Sequence, residues 1–484
     1  MKRSDPYAAY ENPLVARYAS REMAALFSPE RRVRTWRRLW VMLAEAERAL
    51  GLPVRPAQIE EMRRYVDQVN WAAAEQRERE VRHDVMAHVH AFGLQAKKAA
   101  PVIHLGATSA YVTDNADILI LREALGLTAV KVAAVLDRLA AFARRERKRP
   151  VLGLTHLQPA QPTTLGKRAA LWMQDFLLDL REVEHRIERL VPLGAKGATG
   201  TQASFLALFQ GDRRKVERLD ALIARKMGFR KTLPISGQTY TRKLDSQILA
   251  GLAGLGESAH KCATDLRLLA HRKEVEEPFG RRQIGSSAMP YKRNPMRCER
   301  ICGLARFLMT LPMNAYMTHA TQWMERTLDD SANRRIVLPQ AFLAADAILE
   351  LLADVCGALV VYPKSIARNL ALELPFLATE DILMAAVRAG GDRQALHERL
   401  RLHSQAAGRA VKEEGRENDL LDRLASDPVF AAVKKEFVSL LDPRKHIGCA
   451  PEQVDRFLRM EVNPVLHRYR RRLRERTVGG AVRV

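Results

Sequence analysis

Val132-Ala133-Ala134-Val135-Leu136-Asp137-Arg138-Leu139-Ala140-Ala141-Phe142-Ala143 sets Val132, Val135, Leu136, Leu139, Ala140 and Ala143 at positions i, i+3, i+4, i+7, i+8 and i+11. That spacing gathers the apolar side chains on one face of a helix. The period returns in Met173, Phe176, Leu177, Leu180, Val183, Ile187 and Leu190. It returns again in Ile248, Leu249, Leu252 and Leu255, continuing through Leu266 and Leu269. Sustained period-two alternation is hard to find, so the chain reads as all-α, with a bundle of long helices from roughly Asp114 to Val360.

Helix ends support this reading. Ser28-Pro29 offers an N-cap followed by proline at the first helical position, and Gly51 with Pro53 stops that helix. Asn463-Pro464 begins the last helix in the same way. Three stretches interrupt the helical pattern with Gly, Pro, Ser, Thr and Gln: Gly153 to Thr164, Leu193 to Ser204, and Phe279 to Pro295. Loops that break long helices are where chemistry tends to sit.

A chain of 484 residues is too long for one ordinary core. The polar stretch Gly106-Ala107-Thr108-Ser109 and the pair Tyr362-Pro363 divide it into three helical domains, 1–110, 111–362 and 363–484. A hydrophobic content of 47% excludes a mostly disordered chain. The 79 basic and 56 acidic residues give a net charge of +23, which favours anionic partners without choosing among nucleic acid, a membrane surface and small phosphorylated or carboxylated molecules. Clusters such as Arg144-Arg145-Glu146-Arg147-Lys148-Arg149 sit among apolar helical repeats and read as solvated faces. The densest run, His467 to Arg476, reads as a frayed, solvated last helix. Cys262, Cys298, Cys302, Cys356 and Cys449 are odd in number and widely spaced, with no CxxC pair, which fits a reduced intracellular compartment and no zinc site. The start, MKRSDPYAAY, lacks an apolar signal core, and no run of about 18 apolar residues is found, so no membrane span is expected.

Six polar islands carry candidate chemistry. Arg82-His83-Asp84, with His88 and His90 beyond, pairs a histidine with an orienting carboxylate, an acid–base arrangement. A metal reading of His83 and His90 lacks carboxylate ligands and HExxH spacing. His104-Leu105-Gly106-Ala107-Thr108-Ser109, before Asp114 and Asn115, offers hydroxyls and backbone N–H groups to an anion, or serves only as an N-cap. His156 sits in Thr155-His156-Leu157-Gln158-Pro159-Ala160-Gln161-Pro162-Thr163-Thr164, where prolines stiffen the backbone around it. Gly194 to Ser204 is glycine-rich, but it lacks GxxxxGK[ST] order and a preceding strand, which leaves a flexible hydroxyl-rich loop, with Gln238 following. In Gly285-Ser286-Ser287-Ala288-Met289-Pro290-Tyr291-Lys292-Arg293-Asn294-Pro295, a serine near a lysine and backbone donors can have its alkoxide stabilised, and glycine permits the loop to move. Glu325-Arg326-Thr327-Leu328-Asp329-Asp330-Ser331-Ala332-Asn333-Arg334-Arg335 offers arginine forks to phosphate or carboxylate, or is a solvated helix start.

The order of these islands, HLGATS, then THLQPAQPTT, then GSSAMPYKRNP, resembles the fumarase/aspartase superfamily, whose members eliminate fumarate from succinyl-bearing substrates. Tyr291 and Arg293, with ERTLDDSANRR, look like the adenylosuccinate lyase branch in its longer, animal-type form. The likeness runs from Arg17-Tyr18 to the C-terminal helices. It implies three helical domains with a long central bundle, a homotetramer, and active sites that each draw on three subunits. It also implies small-molecule substrates, adenylosuccinate and the succinyl-aminoimidazole-carboxamide ribotide SAICAR, and a C–N elimination that needs no metal or organic cofactor. The setting implied is cytoplasmic purine nucleotide synthesis.

By that resemblance Ser286, on a mobile loop, is the base and His156 the acid that protonates the departing nitrogen. Spacing alone leaves Ser286 and Ser287 as alternatives, and the family pattern favours the first. Lys292 and Asn294 hold the succinyl carboxylates, aided by Thr108, Ser109 and Gln238. His83, beside Arg82 and Asp84, orients the substrate. Arg17, Tyr18, Arg300, Arg326, Ser331 and Arg335 match positions that hold the nucleotide and its phosphate. Cys298 stands where many relatives carry serine and adds a possible thiol sensitivity, and the charge of +23 exceeds the family's habit. Rival readings are a sister lyase of the same fold, which leaves the phosphate-holding set idle, a catalytically silent relative, and a basic helical nucleic-acid binder. The last explains the charge but not the ordered islands, and an aromatic content of 6% argues against base stacking.

Overall fold

A computed structural model describes residues 8–475. The first seven residues of the N-terminal segment, and Arg476 at the end of the basic run, lie outside the described residues. The core is built from five helices, Ser109–Glu146, Leu165–Arg189, Lys243–His271, Met296–Thr310 and Asp329–Gly357. Their apolar faces bury Val132, Leu136, Trp172, Phe176, Leu252, Leu266 and Phe342 in one continuous cluster. Each such large side chain contributes roughly 1.5–3 kcal/mol by leaving water. Gly166 permits a close approach of Leu165–Arg189 to Ser109–Glu146: a Cβ there would lie 2.5 Å from the carbonyl oxygen of Ala143.

Two further clusters flank the bundle. One packs the helices Pro29–Ala49, Pro56–Tyr65 and Asp84–Gln95 against Tyr111, Val112 and Ala116 at the start of the longest helix, with the helix Arg213–Lys226 alongside. The other lies among Thr379–Arg388, Arg393–Lys412 and Leu420–Ser426. The helix Pro29–Ala49 starts and stops where its punctuation predicts. Ser28 Oγ accepts from the Arg31 N–H at 3.1 Å, and Gly51 takes φ +96° just past the end.

Several expectations need correction. Gly153 to Thr164 is more than a loop: Pro150–Thr155 and Gln158–Thr164 pair as an antiparallel hairpin that turns on His156 and Leu157. Leu193 to Ser204 is not a free loop in its first half. Gly194 N–H donates to Asn115 Oδ1 at 3.0 Å and Ala195 N–H to Asp220 Oδ1 at 2.9 Å, and the Lys196 ammonium is buried against Asp220. The last α-helix, Asn463–Glu475, does begin at the expected pair, but Asn463 is itself helical rather than a free N-cap. A π-helical turn, Leu458–Val462, joins it to Ala450–Phe457. Nor is its basic run simply frayed, since Arg468 and Tyr469 both donate to Glu184 on the bundle. Finally, Asp329–Gly357 is long and apolar enough to cross a membrane, which the sequence reading missed, but 72% of its apolar window is buried inside the fold. It is the central core helix.

Candidate active site

A cavity of about 440 Å³ opens where the first flanking cluster meets the bundle. Its walls carry Arg82, His83 and Asp84 from one side, Ser109 from the start of the longest helix, Gln238 from a loop, and Arg326, Ser331 and Arg335 around the start of Asp329–Gly357. Phe27, Trp36, Leu121 and Leu338 supply an apolar lobe. Segments separated by some 250 residues of sequence thus converge, and the size suits a small polar ligand.

Local backbone rules place each group. The helix Trp71–Val81 ends on Arg82 in the left-handed conformation, φ +52°, so the chain reverses and His83 becomes the N-cap of Asp84–Gln95. His83 Nδ1 accepts from the Met86 N–H at 3.4 Å. The proton therefore belongs on Nε2, which faces Ser109 Oγ at 3.3 Å. Asp84 Oδ2 accepts from Arg335 Nη2 at 2.7 Å. Thr108 occupies the N-cap position of Ser109–Glu146 without using its side chain as a cap, so a bare N-cap role does not account for its hydroxyl. Gln238 is held to the arginine segment by its N–H, which donates to the Glu325 carbonyl at 3.1 Å.

The cavity floor is ionic, and the sequence reading missed it. Arg242 and Arg334 are buried there beside Asp114, Asp117, Asp245 and Asp330. Burial pushes the Asp117 carboxyl above its usual range, although Arg334 pulls it back. Arg32 also lines the cavity as an unassigned cation. The available signal was a set of aspartates on otherwise apolar helical faces, since a charge buried in such a face must be paired.

The other candidates lie elsewhere. His156 is exposed at the hairpin turn with φ +54°, followed by Leu157 at +55°. Ser286, Lys292 and Asn294 form their own compact loop. Ser286 Oγ accepts from the N–H groups of Met289 at 3.1 Å and Ala288 at 3.4 Å. Asn294 Nδ2 closes the loop onto the Gly285 carbonyl at 2.8 Å, and Lys292 projects outward, exposed. Gly285 takes no positive φ; the loop needs it because a Cβ would lie 2.0 Å from the Lys292 carbonyl oxygen. Arg17 and Tyr18 sit on the π-helical turn Leu14–Tyr18, and Arg300 on Met296–Thr310, outside the cavity lining. Cys298 is fully buried, and burial together with Glu277 pushes its thiol far up, which removes the expected thiol sensitivity.

Comparison with known proteins identifies the family. Residues 34–309 match a lyase family model, and residues 375–457 match the model described as adenylosuccinate lyase C-terminus. The adenylosuccinate lyases of Schizosaccharomyces pombe and Saccharomyces cerevisiae are 50% and 52% identical over 99% and 98% of this chain, covering 100% and 98% of their own lengths. The chain belongs to the adenylosuccinate lyase family. Within that family it is nearer to these fungal members, and to that of Schistosoma mansoni at 50%, than to the archaeal adenylosuccinate lyase of Pyrococcus abyssi at 31%. Adenylosuccinate lyases are carbon–nitrogen lyases, and this chain is one by descent. The all-α architecture is shared with the 3-carboxy-cis,cis-muconate lactonizing enzyme of Pseudomonas putida, which has a TM-score of 0.81 at 24% identity and covers 95% of this chain and 100% of its own. The fumarate lyase of Mesorhizobium sp. BNC1 superposes with a TM-score of 0.78 at 25% identity, over 93% of this chain and all of its own.

Proposed function

We propose that this chain eliminates fumarate from adenylosuccinate to give AMP, and from SAICAR to give AICAR, in cytoplasmic purine nucleotide synthesis. The observation that carries this reading is the cavity, where one carboxylate-facing wall at His83 and Ser109 meets a phosphate-suited wall at Arg326, Ser331 and Arg335. Ser286, as alkoxide, takes the proton from the succinyl carbon next to a carboxylate. The C–N electron pair leaves with the nitrogen, which receives a proton from His156, and fumarate is released. The carbanionic intermediate piles charge onto that carboxylate, so fixed donors are the main catalytic contribution. Lys292 and Asn294 supply them, with Thr108, Ser109 and Gln238. Arg17, Tyr18, Arg82 and Arg300 complete the substrate contacts, and Asp84 orients Arg335.

Two backbone N–H groups aimed at Ser286 Oγ favour its charged form, and Ser287 has no such hydrogen bonds among the described residues. That supports Ser286 over Ser287 as the base. His156 and the 285–295 loop are exposed and lie outside their own chain's cavity, which supports a homotetramer in which copies complete one another's sites. Exposed apolar side chains on the bundle helices agree with buried helical interfaces: Leu171 and Leu178 at 50% and 55%, and Ile336 at 59% exposure.

The test is to mix purified protein with adenylosuccinate and follow the ultraviolet change as AMP forms. Turnover is expected; its absence at high protein concentration sinks the proposal. Sedimentation should give four chains, and a monomer with full activity overturns the shared-site arrangement.

A further inference from the structure

One guanidinium beneath the cavity holds three of its walls together. Arg242 Nη1 and Nη2 donate to Asp114 Oδ2 and Oδ1 at 3.0 and 3.3 Å, and Nε donates to Asp330 Oδ2 at 2.6 Å. Asp114 follows Ser109 on the same helix, and its Oδ2 also accepts from the Tyr240 N–H at 2.9 Å, just beyond Gln238. Asp330 immediately precedes Ser331, and its Oδ2 also accepts from Arg326 Nη1 at 3.3 Å. Arg242 therefore joins the Ser109 wall, the Gln238 loop and the Arg326–Ser331 wall through a single planar group.

A second guanidinium braces the first. Arg334 donates to Asp245 Oδ2 at 2.7 Å and to Asp117 Oδ2 at 2.9 Å. The Tyr240 ring lies near both, its centroid 4.6 Å from the Arg242 guanidinium carbon and 5.2 Å from that of Arg334. Burial and the neighbouring Arg334 push against the Arg242 charge, but the surrounding carboxylates outweigh them and hold it charged.

Such a network is a weak way to gain stability, because desolvating buried ions costs about as much as their attraction returns. It is a strong way to fix geometry, because a guanidinium fork matches carboxylates in only a few orientations. None of the six polar islands includes Arg242, and its three guanidinium nitrogens are committed to the Asp114 and Asp330 carboxylates.

We propose that Arg242 is a positioning residue that sets the spacing between the wall taking the succinyl end, at Ser109 and Gln238, and the wall taking the nucleotide, at Arg326 and Ser331. This rests on the function proposed above. Adenylosuccinate spans both walls, so its second end binds intramolecularly, and that advantage depends on the walls being held at the right separation. AMP and fumarate each engage one wall and do not depend on the separation.

The test uses the full-length protein and Arg242→Lys, which keeps the charge but loses the fork. The KM for adenylosuccinate is expected to rise about tenfold or more and kcat to fall by about tenfold to a hundredfold, since small misplacements are costly. Inhibition by AMP alone and by fumarate alone should stay within about threefold of wild type, because neither product spans the two walls. If Arg242→Lys does not fold, Asp330→Asn, which weakens the same joint at its other end, should show the same split. Parallel loss of both product affinities, or unchanged kinetics, overturns the proposal. A wild-type protein that neither turns over adenylosuccinate nor responds to AMP overturns the underlying function instead.

Discussion

Arg335 Nη2 donates to Asp84 Oδ2 across 2.7 Å, joining residues 251 positions apart in the chain. The contact brings the phosphate-suited arginine against the histidine-bearing turn, so the same carboxylate flanks His83 and aims Arg335.

Replacing Asp84 by Asn should therefore separate stability from binding. Both partners are partly exposed, 54% and 28% at their side chains, so solvent screening holds the pair's stabilising contribution under about 1 kcal/mol. The melting temperature should barely move. The KM for adenylosuccinate should rise about tenfold, equivalent to about 1.4 kcal/mol, as Arg335 loses its aim. Unchanged steady-state kinetics would remove Asp84 from the site.

The two serines of the loop can be told apart kinetically. Ser286→Ala removes the oxygen that two N–H groups address and should lower kcat by about a hundredfold to ten-thousandfold, the usual contribution of a general base. Ser287→Ala should remain close to wild type. The reverse ranking assigns the base to Ser287. If sites are shared between copies, mixing inactive Ser286→Ala and His156→Ala proteins under subunit exchange should restore turnover, and persistent inactivity of the mixture argues that both groups come from one chain.

The helices and the order of the islands were legible because both depend on local spacing. Val132 to Ala143 has no way to bury its apolar residues except as a helix. The hairpin around His156 was not legible: a two-residue turn with positive φ at both positions normally announces itself with Asn-Gly or Asp-Gly, and here it is His156-Leu157. The Arg242 network was equally hidden, since Thr241-Arg242-Lys243 reads like any charged helix start and only three-dimensional burial singles out its arginine. The separation of His156 and Ser286 from the cavity of their own chain is a property of tertiary distance that no spacing encodes.

Glu47 offers a pH test away from the site. Its side chain is fully buried, neither oxygen has a hydrogen-bond partner among the described residues, and burial pushes its carboxyl up from 4.5 to about 9. Below pH 4.5 the group is protonated whether the chain is folded or not, and it imposes no pH-dependent cost. Between pH 4.5 and 9 the folded state keeps a proton that the unfolded state releases, so its contribution to stability falls as pH rises through that window. Glu47→Gln removes this dependence. Thermal melts should show the variant and wild type alike near pH 4.5, and the variant more stable by a few degrees or more at pH 8, where about 1 kcal/mol shifts a melting temperature by a few degrees. Parallel pH profiles would mean that Glu47 finds a partner in solution.

Gly285→Ala gives the sharpest separation of fold from function. A Cβ at this position would lie 2.0 Å from the Lys292 carbonyl oxygen and 3.1 Å from the Phe279 ring, and the first of these is backbone that cannot rotate away. Relief requires opening the turn that Asn294 Nδ2 closes onto the Gly285 carbonyl, and with it the placement of Ser286 and Lys292. Gly285 itself is buried and Ser286 half-buried, while Ser287 to Arg293 are exposed, so the clash arises at a buried position but can be relieved by opening the exposed loop. The bundle helices, whose buried faces dominate stability, are untouched. The melting temperature should therefore fall by no more than a few degrees, as for about 1–3 kcal/mol of local overpacking in a large chain. Turnover of adenylosuccinate should fall about a hundredfold or more, because a base displaced by about 1 Å is already that much less effective. Loss of activity with an intact melt places the chemistry on this loop; full activity in Gly285→Ala would show that the closed turn is not the working geometry.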